Sequence, residues 1–441
     1  MTSLNRRQFL TTGAAGLVGT SLATSARASA RVQGANERVG VGVIGTGRQG
    51  LNVLRGHRAL PDVDIVAVCD VYEPNLEKGA AAAPGAERFK DYRHVLEHRD
   101  VDAVIVATPD HWHALQTVMA CQAGKDVYVE KPTSVAIAEG RRMVEAAREH
   151  NRVVQVGTQQ RSAAHFQAAV ELVRKGGLGQ VTAVRTWNVG NQAPGGIGSP
   201  PDGDPPPGLD WDLWLGPAPA RPFNPNRFGV DPDAFSHFRW FWDYAGGMMT
   251  DWGVHLIDIA QWAMEVEAPT SVSAVGGKFC LQDNRETPDT IQASYQFPTF
   301  VMTYENRVCN ARTLNEHGYG LEFYGTDGTL FVDRSGFQLT PERRREGEQA
   351  LDRTLAREQR STPDDPTHAR NFVDCVKSRE TPICDIEIGH RSSSTAILGN
   401  LAYRSGSTVV WDAETERVTN GNARATELLD RPYRAPWTLT V

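Results

Sequence analysis

Asp251, His255 and Asp258 are spaced i, i+4 and i+7, which on one continuous helix sets two carboxylates and an imidazole along a single stripe. A carboxylate beside His255 favours the imidazolium and burial opposes it, so this spacing predicts a group that exchanges protons near neutral pH. The plain structural alternative is a capping aspartate next to a buried, satisfied histidine. A second chemical group is Lys131, in Glu130-Lys131-Pro132, one of only seven lysines against 39 arginines. A partly desolvated lysine there would polarise or hydrogen-bond a reacting oxygen. Asp251, His255 and Asp258 are also metal-ligand types, but no further paired ligands accompany them, and no metal is expected.

The elements that would position these groups begin with residues 38–44, Arg38 followed by an apolar run, read as a buried strand. Gly45-Thr46-Gly47-Arg48-Gln49-Gly50 follows and opens a helical pattern through Leu51, Leu54 and Leu60. In a Gly-x-Gly-x-x-Gly turn the first glycine makes the turn and the second admits a pyrophosphate. The third lets helix and strand pack, and the helix N-terminus attracts the anion. The run 62–70 is a second strand ending in Asp70, 25 residues after Gly45, where a ribose 2′-hydroxyl is bound. Its charge would repel a 2′-phosphate, which favours NAD and leaves NADP possible. A third strand at 102–107 runs into Thr108-Pro109-Asp110-His111-Trp112-His113 and another helix. His111 and His113 sit at alternate positions of a helix start and diverge around its axis, so a loop over the cofactor is expected there, not a metal cluster.

Asp126–Val129, a fourth strand, delivers Glu130 and Lys131 at its carboxyl end, where open α/β sheets bind ligands. With this Glu-Lys-Pro turn the chain resembles the glucose-fructose oxidoreductase / inositol dehydrogenase (Gfo/Idh/MocA) family. The run Gly246-Gly247-Met248-Met249-Thr250-Asp251-Trp252-Gly253-Val254-His255-Leu256-Ile257-Asp258 fits that family's Gly-Gly-x-x-x-Asp-x-Gly-x-His-x-x-Asp segment at every fixed position. The motifs span residues 45–258, and the order of domains fits to about residue 405. The resemblance implies Lys131, Asp251 and His255 as catalytic residues, His255 as acid/base. It implies cofactor contacts from Gly45, Thr46, Gly47, Arg48, Gln49, Gly50, Asp70, Thr108, Pro109, His113, Glu130 and Lys131. It also implies a homodimer or homotetramer.

The fold class expected is α/β: an N-terminal Rossmann domain with a doubly wound parallel sheet, residues 38–157, then an α+β domain with a large, mostly antiparallel sheet, residues 158–405. Strand-like runs fall at 181–189, 270–279, 290–298, 300–308, 320–325 and 329–333, and closing helices at 368–377 and 391–404. Residues 406–441 read as a surface tail. Residues 342–360, with six arginines and five acids, read as a solvated helix, and 191–208, with six prolines and five glycines, as a long irregular loop.

Seven of the ten tryptophans lie within residues 187–262. Aromatic faces stack on sugar C–H faces, so Trp242 and Tyr244, just before the catalytic stretch, are candidate substrate contacts. Arg161 and Asn188 are candidate hydrogen-bonding partners of sugar hydroxyls.

Residues 1–28 look like a twin-arginine export signal. Arg6 and Arg7 precede a weakly apolar stretch and a small-x-small cleavage pattern at Ala26-Arg27-Ala28. The stretch is too short and polar to span a bilayer, and no nearby cysteine accepts a lipid, so a periplasmic or secreted protein without a membrane anchor is expected. The net charge is −7, and the first 30 residues carry three positive charges and no negative one, so the remainder carries −10. That excludes an electrostatic footprint for nucleic acid. The six cysteines contain no Cys-x-x-Cys pair and read mostly as core.

Together these readings indicate an exported NAD(P)-dependent oxidoreductase acting on a sugar, polyol or sugar derivative. The periplasm holds no ready pool of nicotinamide nucleotide, so tight cofactor retention and ping-pong transfer between two carbohydrates are expected. Two alternatives stand beside it. One is an NAD-dependent glycosidase working by transient oxidation and elimination, a group that on the resemblance lacks the Glu-Lys-Pro lysine. The other is a non-catalytic sugar-binding protein that keeps the dinucleotide.

Overall fold

Every residue of Val39–Ile44 (β1), Ala103–Val106 (β4) and Asp126–Val129 (β5) is buried, as parallel strands covered on both faces require. In the computed structural model, which describes residues 38–229, 236–342, 357–360 and 367–441, they join Val63–Cys69 (β2), Glu87–Phe89 (β3) and Val154–Val156 (β6). All pairings are parallel, in the order β3-β2-β1-β4-β5-β6. Strand order reverses between β1 and β4, so a crevice opens at their carboxyl ends. The side chains of β1 and β4 alternate between two cores: Val41, Val43 and Ile105 on one face, Ile44, Val104 and Val106 on the other.

The second sheet takes Val181–Val189 (β7), Ser271–Gly277 (β8), Thr290–Gln296 (β9), Val301–Arg307 (β10), Tyr319–Gly325 (β11) and Gly328–Asp333 (β12). All six coincide with the expected runs. Gly336–Pro341 (β13), Arg357–Arg360 (β14), Val409–Asp412 (β15) and Arg417–Val418 (β16) extend it to ten strands. Every pairing is antiparallel except β7 with β10. Helices Ala164–Arg174, Gly253–Met264 and Ile386–Ser405 cover one face of this sheet, with Phe166, Ile257 and Leu398 in the shared core.

Two expectations need correction. Residues 357–360 form strand β14 and not a helix, because they hydrogen-bond along β13; residues 343–356 lie outside the described part. The segment after 405 adds β15 to the edge of the sheet beside β8, and its end then crosses back over the first domain, packing Tyr433 and Trp437 there. The closing helix Thr367–Ser378 also reaches the first domain, burying Phe372 and Val373 against Val41 and Val43. Arg370 ties it to Asp62 through two hydrogen bonds of 2.7 and 3.0 Å. The segment 1–28 read as an export signal lies outside the described residues.

Candidate active site

A cleft of about 400 Å³ opens along the carboxyl ends of β1, β4 and β5 and reaches into the second domain. At one end Gly45 takes φ +90°, a conformation that favours glycine. A Cβ on Gly50 would stand 1.9 Å from the Gly45 carbonyl oxygen, so only glycine lets the helix Arg48–Arg58 start this close to β1. A Cβ on Gly47 would meet nothing nearer than Asn75 Nδ2 at 3.8 Å, leaving the loop open to the cleft. No side chain caps that helix, so its first N–H groups face a space where an anion fits.

Asp70 ends β2 on the same side of the cleft. Its carboxylate accepts the backbone N–H of Thr46 at 2.8 Å and of Tyr72 at 2.9 Å. Burial nevertheless pushes its carboxyl up to about 6. The Thr46 hydroxyl, at 3.4 Å, and the Asn75 side chain also bond to it and hold the carboxylate in place at the cleft wall. An open glycine turn, an uncapped helix N-terminus and a strand-end acid together fit a dinucleotide.

Farther in, Glu130 accepts from Gln49 Nε2 at 2.9 Å. The ring of His113 lies between the Pro132 carbonyl (2.7 Å from Nδ1) and the Thr108 carbonyl (2.8 Å from Nε2). That bridge fastens the Glu130-Lys131-Pro132 turn to the Thr108-Pro109 loop. Arg48, Gln49, Thr108, Pro109, His113, Glu130 and Lys131 all line the cleft. Thr46 and Gly50 act from beneath it, Thr46 by holding Asp70.

At the inner end Lys131 Nζ donates to Asp251 Oδ1 at 2.8 Å and to the Asp251 carbonyl at 3.1 Å. Arg239 Nε lies 3.5 Å from the same Oδ1. Burial alone would raise the Asp251 carboxyl, but Arg239 and Lys131 hold it well below the usual carboxylate range. Asp110 also faces this space, and burial pushes it up to about 7 against the pull of Lys131 and Arg239.

The single stripe of Asp251, His255 and Asp258 does not form. The helix is divided at Trp252 into Gly247–Asp251 and Gly253–Met264. Asp251 turns to Lys131 across the cleft, while Asp258 turns to Arg161 on the far side, at 2.7 and 2.9 Å. His255 lines the cleft with its Nδ1 buried and without a hydrogen-bond partner among the described residues, so Nε2 is left to reach a ligand. Burial, then Lys131 and Arg334, push its pKa well below the ordinary value, and Asp251 opposes them. Burial therefore moves His255 down from the near-neutral value expected from spacing, toward the neutral ring.

None of the four expected substrate contacts lines the cleft. Arg161 is buried in its pair with Asp258 and stacks 4.9 Å from the Trp262 ring. Asn188 Oδ1 accepts from the Tyr304 hydroxyl at 2.5 Å within the second domain. Trp242 lies under Arg404, 4.7 Å from its ring, and Tyr244 is fully buried against Trp214. The physical reason is shared. The aromatic-rich stretch folds on itself, Trp214, Phe223, Trp240, Phe241 and Tyr244 forming a core of their own. Of that core Trp214 reaches the cleft wall, which also receives Gln159, Phe238, Arg239, Trp252 and Arg334, none of them a substrate candidate in the sequence reading. Trp252, inside the matched motif, was the one with a local signal.

The pair Arg161–Asp258 supports a stability prediction. Each side chain is nearly buried, 6% and 1% exposed, and removing one partner strands the other charge. Arg161→Ala or Asp258→Ala should each cost about 3–5 kcal/mol in denaturant unfolding, with the double variant costing less than the sum. Additive losses would show that the two residues act independently.

Among the described residues no group of three or more His, Cys, Asp or Glu side chains is placed to hold a metal ion. His111 turns away from His113, its Nε2 lying 3.0 Å from the Trp214 carbonyl. No described helix is long and apolar enough to cross a membrane.

Residues 39–158 match the Gfo/Idh/MocA oxidoreductase family profile for an NAD-binding Rossmann fold, and residues 196–307 and 350–439 match its C-terminal α/β domain. Inositol 2-dehydrogenase of Rubrobacter xylanophilus is 34% identical over 159 residues, covering 36% of this chain; the chain spans 46% of that relative's length. A glycosyl hydrolase family 109 protein of Shewanella sp. strain MR-4 is 28% identical over 172 residues, 33% of this chain and 38% of the relative. A levoglucosan dehydrogenase solved with NADH and levoglucosan superposes with a TM-score of 0.63 at 18% identity, over 84% of this chain and 99% of that one, a likeness of fold.

Proposed function

Since the chain belongs to the Gfo/Idh/MocA oxidoreductase family, with its NAD-binding Rossmann domain and C-terminal α/β domain, we propose that it oxidises a carbinol of a sugar or polyol with His255 as acid/base. The observation that carries this reading is one cleft lined by Gly45, Gly47 and Asp70 toward one end and by Lys131, Asp251 and His255 at the other. Nicotinamide, when bound, supplies the hydride acceptor. The neutral His255 ring takes the hydroxyl proton through its free nitrogen. Lys131, fixed by two hydrogen bonds to Asp251, keeps its remaining N–H for the substrate oxygen and stabilises negative charge as it develops. Asp251 orients Lys131 and reaches substrate only through it.

Asp70 is the reason for preferring NAD to NADP. With its carboxyl at about 6, the acid is ionised above that pH, accepting ribose hydroxyls and repelling a 2′-phosphate. As pH falls through 6 the protonated form loses both effects. Calorimetric titration should therefore show NAD binding weakening on the acid side of 6 and the preference over NADP shrinking with it. A preference unchanged across that pH would remove Asp70 from the choice.

Export and tight retention of the cofactor belong to the same proposal, supported by the paired Arg6-Arg7 and the Ala-x-Ala pattern that ends at Ala28. A homo-oligomer would cover the open face of the second sheet, where Val275 is 72% and Val301 44% exposed. The glycosidase reading is kept alive by the Shewanella relative. A panel of sugars, polyols and aryl-glycosides offered to nucleotide-loaded protein decides between them. Net formation of reduced nicotinamide supports the dehydrogenase, aglycone release without net redox supports the glycosidase, and sugar binding with neither supports a non-catalytic binder.

A further inference from the structure

Arg334 sits at the turn between β12 and β13, pointing into the inner end of the cleft beside Lys131, Trp252 and His255. The turn is held by its neighbour: Asp333 Oδ1 accepts the Ser335 N–H at 2.7 Å and Asp333 Oδ2 faces His317 Nδ1 at 3.2 Å. That carboxylate is thus committed away from Arg334. The guanidinium lies over the Trp252 ring, 4.6 Å from its centroid, and Tyr319 backs the same ring at 4.7 Å. Arg334 Nε is buried without a hydrogen-bond partner, and among the described residues no carboxylate lies within ion-pair distance of the side chain.

Two buried arginines of this domain contrast with it, Arg334 itself being half-buried. Arg161 holds Asp258 at 2.7 and 2.9 Å, and Arg285 holds Asp283 at 2.9 Å. A half-buried cation on the cleft wall with no counter-charge in ion-pair distance favours a ligand that supplies one. Asp251 and Glu130 act on it only from beyond ion-pair distance, and Asp251 already takes Lys131 and faces Arg239. Asp110 and Glu130 are both displaced by burial toward their neutral forms. Oxidised nicotinamide would add a further positive charge at this end. A planar guanidinium fixed on an aromatic face matches a carboxylate through two parallel hydrogen bonds.

We propose that the substrate is a sugar acid, of the uronate or aldonate type, whose carboxylate is received by Arg334 over Trp252 while its carbinol is presented to His255 and Lys131. This rests on the reading of the cleft as a sugar site. Arg334 is a specificity-determining residue on this account, setting which sugars enter without taking part in proton transfer.

The test titrates nucleotide-loaded, full-chain protein with glucuronate, galacturonate and gluconate, and with glucose, galactose and glucose phosphate, by calorimetry. The acids should bind about ten- to a hundredfold more tightly than the neutral sugars. Arg334→Gln should abolish that preference at an unchanged melting temperature, and Arg334→Lys should keep part of it. Neutral sugars binding as well as the acids, glucose phosphate binding more tightly than any carboxylate, a preference that survives Arg334→Gln, or no binding by any of them would each overturn the proposal. The underlying reading fails separately. Acids that bind through Arg334 without reducing nicotinamide contradict the dehydrogenase and not this inference. Neutral sugars that turn over with a KM indifferent to Arg334 do the reverse.

Discussion

Replacing His255 by alanine should slow nicotinamide reduction by about 10²–10⁴-fold, the usual contribution of a positioned acid/base group, while nucleotide stays bound. The nucleotide contacts proposed above lie at the glycine turn and Asp70, and His255 shares no hydrogen bond with them. The loss should appear in kcat more than in KM, because the proton is taken only as the carbinol is oxidised. The pH profile carries the same signature. With the His255 pKa pushed well below its ordinary value by burial, Lys131 and Arg334, the ring is already unprotonated at neutral pH. The wild-type rate should therefore fall only on the acid side, and the alanine variant should lose that limb. Near-normal turnover in the variant would remove His255 from the mechanism.

Lys131→Met is expected to cost about 10²–10³-fold in turnover, the scale of removing one fixed donor to a developing oxyanion. It should also destabilise the fold, because Asp251, 12% exposed on its side chain, would keep only Arg239 at 3.5 Å as counter-charge. Lys131→Arg tests geometry. A guanidinium can satisfy Asp251 but cannot offer the same point donor to the substrate, so stability should return and most activity should not. Thermal melts and initial rates on the three proteins separate the two effects.

The legible part of this molecule was the part written in local spacing. Gly45 through Gly50, Asp70 and Glu130-Lys131 each lie at the end of one strand of a repeating βα unit, so sequence distance fixes where they meet. The second sheet was readable for the same reason wherever a strand was long and alternating, as in 181–189. β14, β15 and β16 are two to four residues long, and β15 gains its partner β8 from a distant segment, so periodicity does not mark them.

Around the site, spacing misled where helix continuity was assumed. The break at Trp252 sends Asp251 and Asp258 in different directions, and Arg161, chosen as a substrate contact, is what Asp258 requires for burial. Trp242 and Tyr244 were chosen for what aromatic rings can bind, yet so many rings in one stretch first need each other as a core. Arg239 and Arg334 reach the cleft from a short 3₁₀ turn and from a hairpin turn some 200 residues beyond Lys131. Nothing in the linear sequence joins them to it.

The most direct test of the central claim is the near-ultraviolet absorbance of nucleotide-loaded protein mixed with the sugar, sugar-acid and polyol panel, followed in wild type, Lys131→Met and His255→Ala. The account predicts reduced nicotinamide in the wild type with at least one member of the panel, and intact nucleotide without reduction in both variants. Reduction at wild-type rates in either variant, or no reduction in any protein with any compound, would contradict it.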